Sequence, residues 1–380
     1  MFSPSVAIDL DNLLHNLQQT RSCLPSGIGV IAVVKDSAYG CGAAIIARFL
    51  KEEGDIHLFA VARSEEAFTL RENGIRSDIL ILGKVSPSEF GAIAAGNFTL
   101  TCNDLDDLHH WQALDIPIRF HCNIDTGMHR LGLHPETIPE LITLLRKSRH
   151  LRCEGVFTHM ASADVPDTGT VGDQYRRFAA AVAMLNENGI APACVHIANS
   201  AAILRHPHHG CTHVRPGIML YGSLPDPKQN FGLDLRPVLS LKGTIVALRR
   251  LPAGSPVSYG GNYTTSTDTT IATIGVGYAH GVPRYLSNRG SVLIGGNRYT
   301  IAGNVTMDYI MADVGPAPSC AIGDEAVVIG SQGESVITPD EVAAAGNTIA
   351  YEVLCNIGRA LPRSYIRNGG ILEQQQGHSF

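Results

Sequence analysis

Eight short apolar runs recur along the chain as far as Arg215, at 30–34, 58–62, 79–82, 98–101, 118–124, 153–158, 194–198 and 213–215. They are often β-branched and nearly free of charge, which is how strands buried on both faces read. Between them lie helical patterns such as 43–53, 64–73, 104–114, 137–148 and 175–188, the last two with apolar residues at three- and four-residue spacing. Ser64 followed by Glu66 and Ala67, and Asn103 followed by Asp104, mark helix starts, and Gly54, Gly74 and Gly189 stand where helices should end. Strands alternating with helices eight times over predict a parallel sheet closed as a (β/α)8 TIM-like barrel; an open doubly wound sheet is the alternative.

The pattern changes near Pro237. Apolar stretches at 239–248, 270–276, 291–301 and 325–330 are separated by Gly, Asn and Pro turns, with one helical stretch near 339–345. Gly295-Gly296-Asn297 reads as a hairpin turn. A chain of 380 residues exceeds what one core usually serves. We therefore expect residues 1–235 to form the barrel and 236–380 a mostly β C-terminal domain, with Pro225-Asp226-Pro227 in the linker region.

Charged residues make up 17% and the formal net charge is −6, with no run of five basic residues, so a nucleic-acid surface is not expected. The N-terminus lacks a basic start and an apolar core of the signal-peptide kind, and no segment is apolar for long enough to span a bilayer, so no membrane partner is expected. The nine cysteines are scattered without a CxxC pair, which reads as reduced thiols in a cytoplasmic protein.

Barrel active sites lie at the C-terminal ends of the strands. In this assignment those ends carry Lys35 after the first strand, Asn123, Asp125 and Arg130 after the fifth, His159 after the sixth, Asn199-Ser200 after the seventh and Arg215 after the eighth. Lys35 closes the run Val30-Ile-Ala-Val-Val; desolvation favours the neutral amine, the form that makes a Schiff base, whereas a lysine that snorkels outward is the structural alternative. The Asn199-Ser200 and Arg215-Pro-Gly217-Ile218 turns occupy a frequent phosphate position in barrels, and on position alone they read equally as ordinary turns. Gly275-Val-Gly277-Tyr-Ala-His-Gly281 has the wrong spacing for a nucleotide loop. His206, His208, His209, Cys211 and His213 read as a solvated His-rich loop, and no metal is expected.

Nine motifs then carry a family resemblance. Ala32-Val-Val-Lys35-Asp-Ser-Ala-Tyr39-Gly-Cys-Gly42 resembles the pyridoxal-phosphate (PLP) lysine signature of alanine racemases. Asp125-Thr-Gly-Met-His-Arg130-Leu-Gly, Gly155-Val-Phe-Thr-His159, His196-Ile-Ala-Asn199-Ser200-Ala-Ala and Val214-Arg215-Pro-Gly217-Ile218 with Tyr221-Gly222 are similar to further motifs of the family. Val257-Ser-Tyr259-Gly, Gly277-Tyr278-Ala-His-Gly, Gly303-Asn-Val-Thr-Met307-Asp308 and Tyr351-Glu-Val-Leu-Cys355 follow in family order.

The resemblance implies a cytoplasmic PLP-dependent isomerase that interconverts L- and D-alanine, D-alanine being a peptidoglycan precursor. It implies that Lys35 holds PLP and acts as one acid/base, and that Tyr259, reaching in from the partner of an obligate homodimer with shared sites, acts on the opposite face. Tyr39, Ser200, Gly217, Ile218 and Tyr351 would hold the phosphate, with Asn199 in the same cofactor-binding set. His159 would pack on the pyridine ring and Arg215 would face its nitrogen. Arg130 and the Met307 backbone would meet the substrate carboxylate and neighbouring cofactor groups. Tyr278 and Asp308 would shape the entrance and its surroundings. Two bases suit a reaction that removes the Cα proton on one face and returns it on the other. A guanidinium does not usefully give up a proton, so the ring nitrogen stays unprotonated and the ring is a weaker electron sink, which limits side reactions such as transamination.

Five positions depart from the family pattern. Asn123 stands where many members carry a carbamylated lysine, which leaves an anion missing near Arg130; a small anion such as chloride is expected to fill the place. Asn304 stands where Arg is frequent, His280 where Asp is, and Asp36-Ser37 replace the usual small and Asn residues. These changes bear on substrate choice, with serine or another amino acid as alternatives to alanine. A PLP-carrier protein would lack the β domain and its tyrosine. A barrel decarboxylase would place an acid, not Arg215, at the ring nitrogen and a Cys donor from the second domain, for which Cys355 is the one candidate.

Overall fold

The computed structural model describes residues 3–114, 116–165, 169–206 and 210–376. Each of the eight apolar runs is a strand. They are β2 (Gly29–Val33), β3 (Leu58–Val61), β4 (Asp78–Ile81), β5 (Thr99–Cys102), β6 (Ile118–Asn123), β7 (Leu151–Phe157), β8 (Cys194–Asn199) and β9 (His213–Arg215), preceded by a first strand β1 (Ser5–Asp9). The strands β2 to β9 pair in sequence order, all parallel, and β9 pairs back to β2 to close the barrel. Helices separate them, and each turns an apolar stripe inward. In Ile138–Lys147 the buried positions are Ile138, Leu141, Ile142 and Leu144, the three- and four-residue spacing of one helix face. Two register shifts interrupt the ladders, between Phe120 and His121 on β6 and between His196 and Asn199 on β8. Such irregularities re-aim side chains, and both lie at strands that end in predicted site residues.

The rest of the chain is mostly β. The long strand β10 (Leu239–Leu251) begins with buried residues at every second position, the mark of a sheet with one face on a core. It pairs antiparallel with Thr269–Ile274 and with Glu325–Gln332. Gly295-Gly296 forms the expected two-residue hairpin turn between Ser291–Ile294 and Asn297–Thr300, with both glycines at positive φ. One element departs from the expected division of the chain. β1 lies not in the barrel but in this sheet, antiparallel to β10 and parallel to Arg363–Arg367. Its short alternation, with Val6 and Ile8 buried, fills the gap between those two strands. The chain therefore starts in the second sheet, passes through helix Leu10–Ser22 into the barrel, and returns after the irregular segment at 222–238. Among the described residues no helix is long and apolar enough to cross a membrane.

Candidate active site

A cavity of about 320 Å³ opens at the C-terminal ends of the barrel strands. Lys35, Tyr39, Asn123, Arg130, His159, Asn199, Ser200, Arg215, Gly217, Ile218 and Tyr351 all line it. The cavity's polar side chains sit at the last residue of a strand or beyond it, and the closed barrel brings those ends together.

Lys35 lies two residues past β2 and opens an unusual turn. Asp36, Ser37, Ala38 and Tyr39 all have φ between 51° and 56°. A left-handed conformation costs a non-glycine residue roughly 1–2 kcal/mol, so this run persists only because its surroundings fix it. The Gly40 N–H donates to the Asp36 carbonyl at 3.1 Å and the Gly42 N–H to the Ser37 carbonyl at 2.7 Å. Gly40 continues the turn at φ 84°, where a Cβ would stand 2.5 Å from the Leu354 carbonyl oxygen. Arg363, buried, donates to the Gly40 carbonyl at 2.9 Å and so ties the turn to the second sheet. The turn delivers Tyr39 into the core, stacked on Tyr221 at 4.6 Å and tilted against Tyr351 at 6.1 Å. Burial pushes both the Tyr39 and Tyr351 hydroxyls up, Tyr351 to about 12, so both remain protonated donors.

Asn199 caps helix Ser200–Arg205 by accepting the Ala202 N–H at 3.0 Å, and Ser200 Oγ accepts the Gly217 N–H at 3.0 Å. A Cβ on Gly217 would lie 2.3 Å from the Tyr39 hydroxyl. The lack of a side chain there is what lets the hydroxyl, the Ser200 turn and the Gly217 backbone crowd around one small volume.

Arg215 ends β9 and is buried. Its guanidinium donates to the carbonyls of His196 (2.9 Å), Thr158 (2.8 Å) and Ile197 (3.2 Å), and to His196 Nδ1 at 2.6 Å. Among the described residues it has no carboxylate partner. Burial lowers its pKa to about 10, which leaves it charged at neutral pH. His159 is held neutral: burial, then the cations of Arg215, Arg130 and Lys35, bring its pKa to about 3. Gln174, buried, fixes the backbone around His159 by donating to its carbonyl at 3.0 Å and accepting the Ala161 N–H at 2.9 Å.

Asn123 lines the cavity with its amide nitrogen donating to Asn103 Oδ1 at 2.9 Å, both side chains being buried. Four predicted residues are not brought to the cavity. Tyr259, Tyr278, Met307 and Asp308 belong to loops of the second domain and none lines it. Those loops are tied to one another. The Asn304 side chain donates to the Tyr259 carbonyl at 2.7 Å, and the Tyr278 N–H donates to the Thr306 carbonyl at 2.9 Å. They present a shared face on which Tyr259 is 75% exposed and Met307 54%.

Several contributors carried no sequence signal of their own. Ala62, Leu82 and Gly83 line the cavity from the ends of β3 and β4, where apolar and glycine residues give no chemical cue. His121 and His196 meet inside the barrel, Nδ1 to Nε2 at 2.8 Å. Cys194 lies near enough to complete a metal-like trio, but both nitrogens of His196 are already engaged. Of the His-rich loop, His208 and His209 lie outside the described residues. His213 contacts the Thr212 hydroxyl at 2.9 Å.

Comparison with known proteins sets this geometry in context. A family model described as alanine racemase, N-terminal domain, matches residues 8–225, and one described as alanine racemase, C-terminal domain, matches residues 238–365. The chain is 38% identical over 362 residues to the alanine racemase of Halothermothrix orenii, covering 94% of this chain and 95% of that protein. It is 39% identical over 378 residues to alanine racemase 2 of Bacillus subtilis, covering 97% and 96%. Among solved structures it is similar to the alanine racemase from Bacillus anthracis with bound L-Ala-P, at TM-score 0.88 and 34% identity over 99% of this chain and 98% of that one. The biosynthetic alanine racemase from Pseudomonas aeruginosa matches at TM-score 0.84 and 32% identity, covering 97% and 100%.

Proposed function

The chain belongs to the alanine racemase family and is an alanine racemase in function, and we propose that it works with PLP through two proton-transfer groups, Lys35 and Tyr259. The observation that carries the reading is the convergence of Lys35, His159, Arg215 and the Ser200–Gly217–Tyr39 cradle on one cavity.

The residues fit PLP. The space that a Cβ on Gly217 would fill is ringed by hydroxyl and N–H groups suited to a phosphate. A buried guanidinium with no carboxylate partner among the described residues suits a ring nitrogen that keeps no proton. When bound, PLP supplies an aldehyde for covalent attachment and a conjugated ring that takes up the electron pair left on Cα. The remaining chemistry is the protein's. The Lys35 amine takes the Cα proton on one face or returns it there. The Tyr259 hydroxyl does the complementary transfer on the other face, and the two exchange roles when the reaction runs backward. Arg130 receives the substrate carboxylate, with the Met307 backbone beside it. His159, neutral, packs as an uncharged plate. Tyr39, Tyr351, Ser200, Asn199, Gly217 and Ile218 anchor the phosphate end. Tyr278 and Asp308 shape the entrance.

Tyr259 does not line the Lys35 cavity of its own chain, so the reading requires a homodimer in which each subunit completes the other's site. Its exposure beside exposed Tyr278, Met307 and Tyr309 supports this. The division at residues 235 and 236, apart from β1, which joins the second sheet, and with the second unit providing the second base, belongs to the same proposal. Nine free thiols fit a reducing cytoplasm. Relatives that match along nearly the whole chain are alanine racemases, which supports alanine over serine as the substrate.

The test is to record the visible spectrum of the purified protein and assay L-alanine and L-serine for conversion to their D-enantiomers. A yellow protein that racemises alanine faster is expected. Lys35→Ala should abolish borohydride-trappable PLP and nearly all turnover; trapping that survives the substitution refutes the assignment.

A further inference from the structure

We propose that Glu66 is a positioning residue for Lys35. Its carboxylate ties the turn after β3 to the left-handed turn that carries the lysine, an inference that rests on the reading that Lys35 takes PLP.

Glu66 occupies the third position of helix Ser64–Glu72, from which a carboxylate commonly reaches back to cap the helix. One oxygen does this, accepting the N–H groups of Arg63 at 3.0 Å and Ala62 at 2.8 Å. Capping needs no more than that oxygen. The other accepts the Asp36 N–H at 2.6 Å, across a separation of 30 residues. Asp36 is the first of the four left-handed residues, and its N–H belongs to the peptide that joins it to Lys35. The bond therefore fixes the peptide plane from which the lysine side chain springs.

The turn is also held from within, by the Ala38 N–H donating to the Val34 carbonyl at 2.9 Å and by the bonds at Gly40 and Gly42, but none of these engages the peptide between Lys35 and Asp36 through its N–H. Ala62, at the far end of the link, lines the same cavity as Lys35, so one carboxylate joins two of its walls. The Glu66 side chain is only 13% exposed, so it is packed in place even though the Asp36 end of the link lies at the surface. Arg63 stands 3.6 Å from Glu66 and 3.8 Å from Asp36 but is 61% exposed, so its pull is screened and the neutral N–H donors do the holding.

The test compares Glu66→Gln with Lys35→Ala and the unaltered protein. A glutamine keeps one carbonyl oxygen, so it satisfies either the cap or Asp36 but not both. We expect E66Q to fold and bind PLP, with kcat lowered about 10- to 100-fold through misplacement of the amine. KM should change by less than about threefold. The pH at which the visible band of the PLP-loaded protein titrates should move. A residue that only caps a helix would lower Tm and leave kcat and this band alone. Wild-type kcat together with a wild-type band in E66Q overturns the proposal. Lys35→Ala separates this from the underlying reading: if it still traps PLP, the assignment of Lys35 fails, and if it does not while E66Q matches wild type, only Glu66 fails. Should E66Q not fold, Glu66→Asp takes its place, since it keeps the charge and shortens the reach by one carbon. Wild-type kcat in E66D then overturns the proposal.

Discussion

Arg215 donates to His196 Nδ1 across 2.6 Å, and both side chains are buried. A guanidinium only donates, so His196 keeps its proton on Nε2 and donates in turn to His121 Nδ1 at 2.8 Å. The pair orients Arg215, which among the described residues has no negative partner; in the proposed reading this leaves the ring nitrogen without a proton. His196→Leu should preserve bulk while leaving one Arg215 donor unpaired, a cost of about 1–3 kcal/mol. We expect its kcat to fall more than its PLP affinity. Steady-state kinetics alongside PLP titration of the apoprotein check this, and the reverse pattern would reduce His196 to a pocket-shaping role.

Acid should destabilise the protein earlier than its carboxylates alone would require. Burial lowers His121 and His159 to about 3, and His196 well below its ordinary value. An unfolded histidine binds its proton near pH 6.5. The unfolded chain therefore holds more protons between these limits, and stability, complete above about pH 6.5, is lost as the pH falls toward 3. Each independent histidine contributes up to about 1.4 kcal/mol per pH unit. His121 and His196 share a hydrogen bond and do not count twice. The Tm of the apoprotein should drop steadily between about pH 7 and pH 5, and His159→Gln should flatten that slope. A constant Tm across the interval contradicts the neutral-histidine assignment.

How far the sequence carries follows from where each constraint is written. The eight barrel strands are visible because burial on both faces leaves uninterrupted apolar runs, and the closed barrel then places Lys35, His159 and Arg215 together without further information. β1 escapes the same reading because its partners, at Leu239–Lys242 and Arg363–Ile366, lie far along the chain from it and leave no local trace. The His121–His196 contact joins residues 75 apart and depends on strand register. The left-handed run at Asp36–Tyr39 is written in non-glycine residues whose conformation comes from tertiary bonds, Glu66 among them. Tyr259 is recognisable by its motif, yet it does not line the Lys35 cavity of its own chain, and its proposed place opposite Lys35 requires a second chain.

The neighbourhood of Arg130 offers a test with ions. Asn123 cannot carry a carbamate, and its amide nitrogen is already turned toward Asn103. Turnover should therefore be indifferent to bicarbonate. If chloride supplies the missing anion, exchange into gluconate buffer should lower kcat/KM for alanine and added chloride should restore it. Equal rates in the two buffers end that idea.

Shared sites predict complementation between two inactive proteins. A K35A subunit retains Tyr259 and a Y259F subunit retains Lys35. A mixed dimer then contains one site with both groups and one with neither. Random exchange of equal amounts puts half the dimers in the mixed form, each with one working site of two, so activity should recover to roughly a quarter of the wild-type value. The experiment is to co-refold the two variants, confirm dimers by size-exclusion chromatography and assay alanine racemisation. If Tyr259 instead served Lys35 within its own chain, no mixed dimer would hold an intact pair and activity would stay at background. Recovery near a quarter therefore reports the geometry directly: the exposed tyrosine of one chain works in the barrel of another.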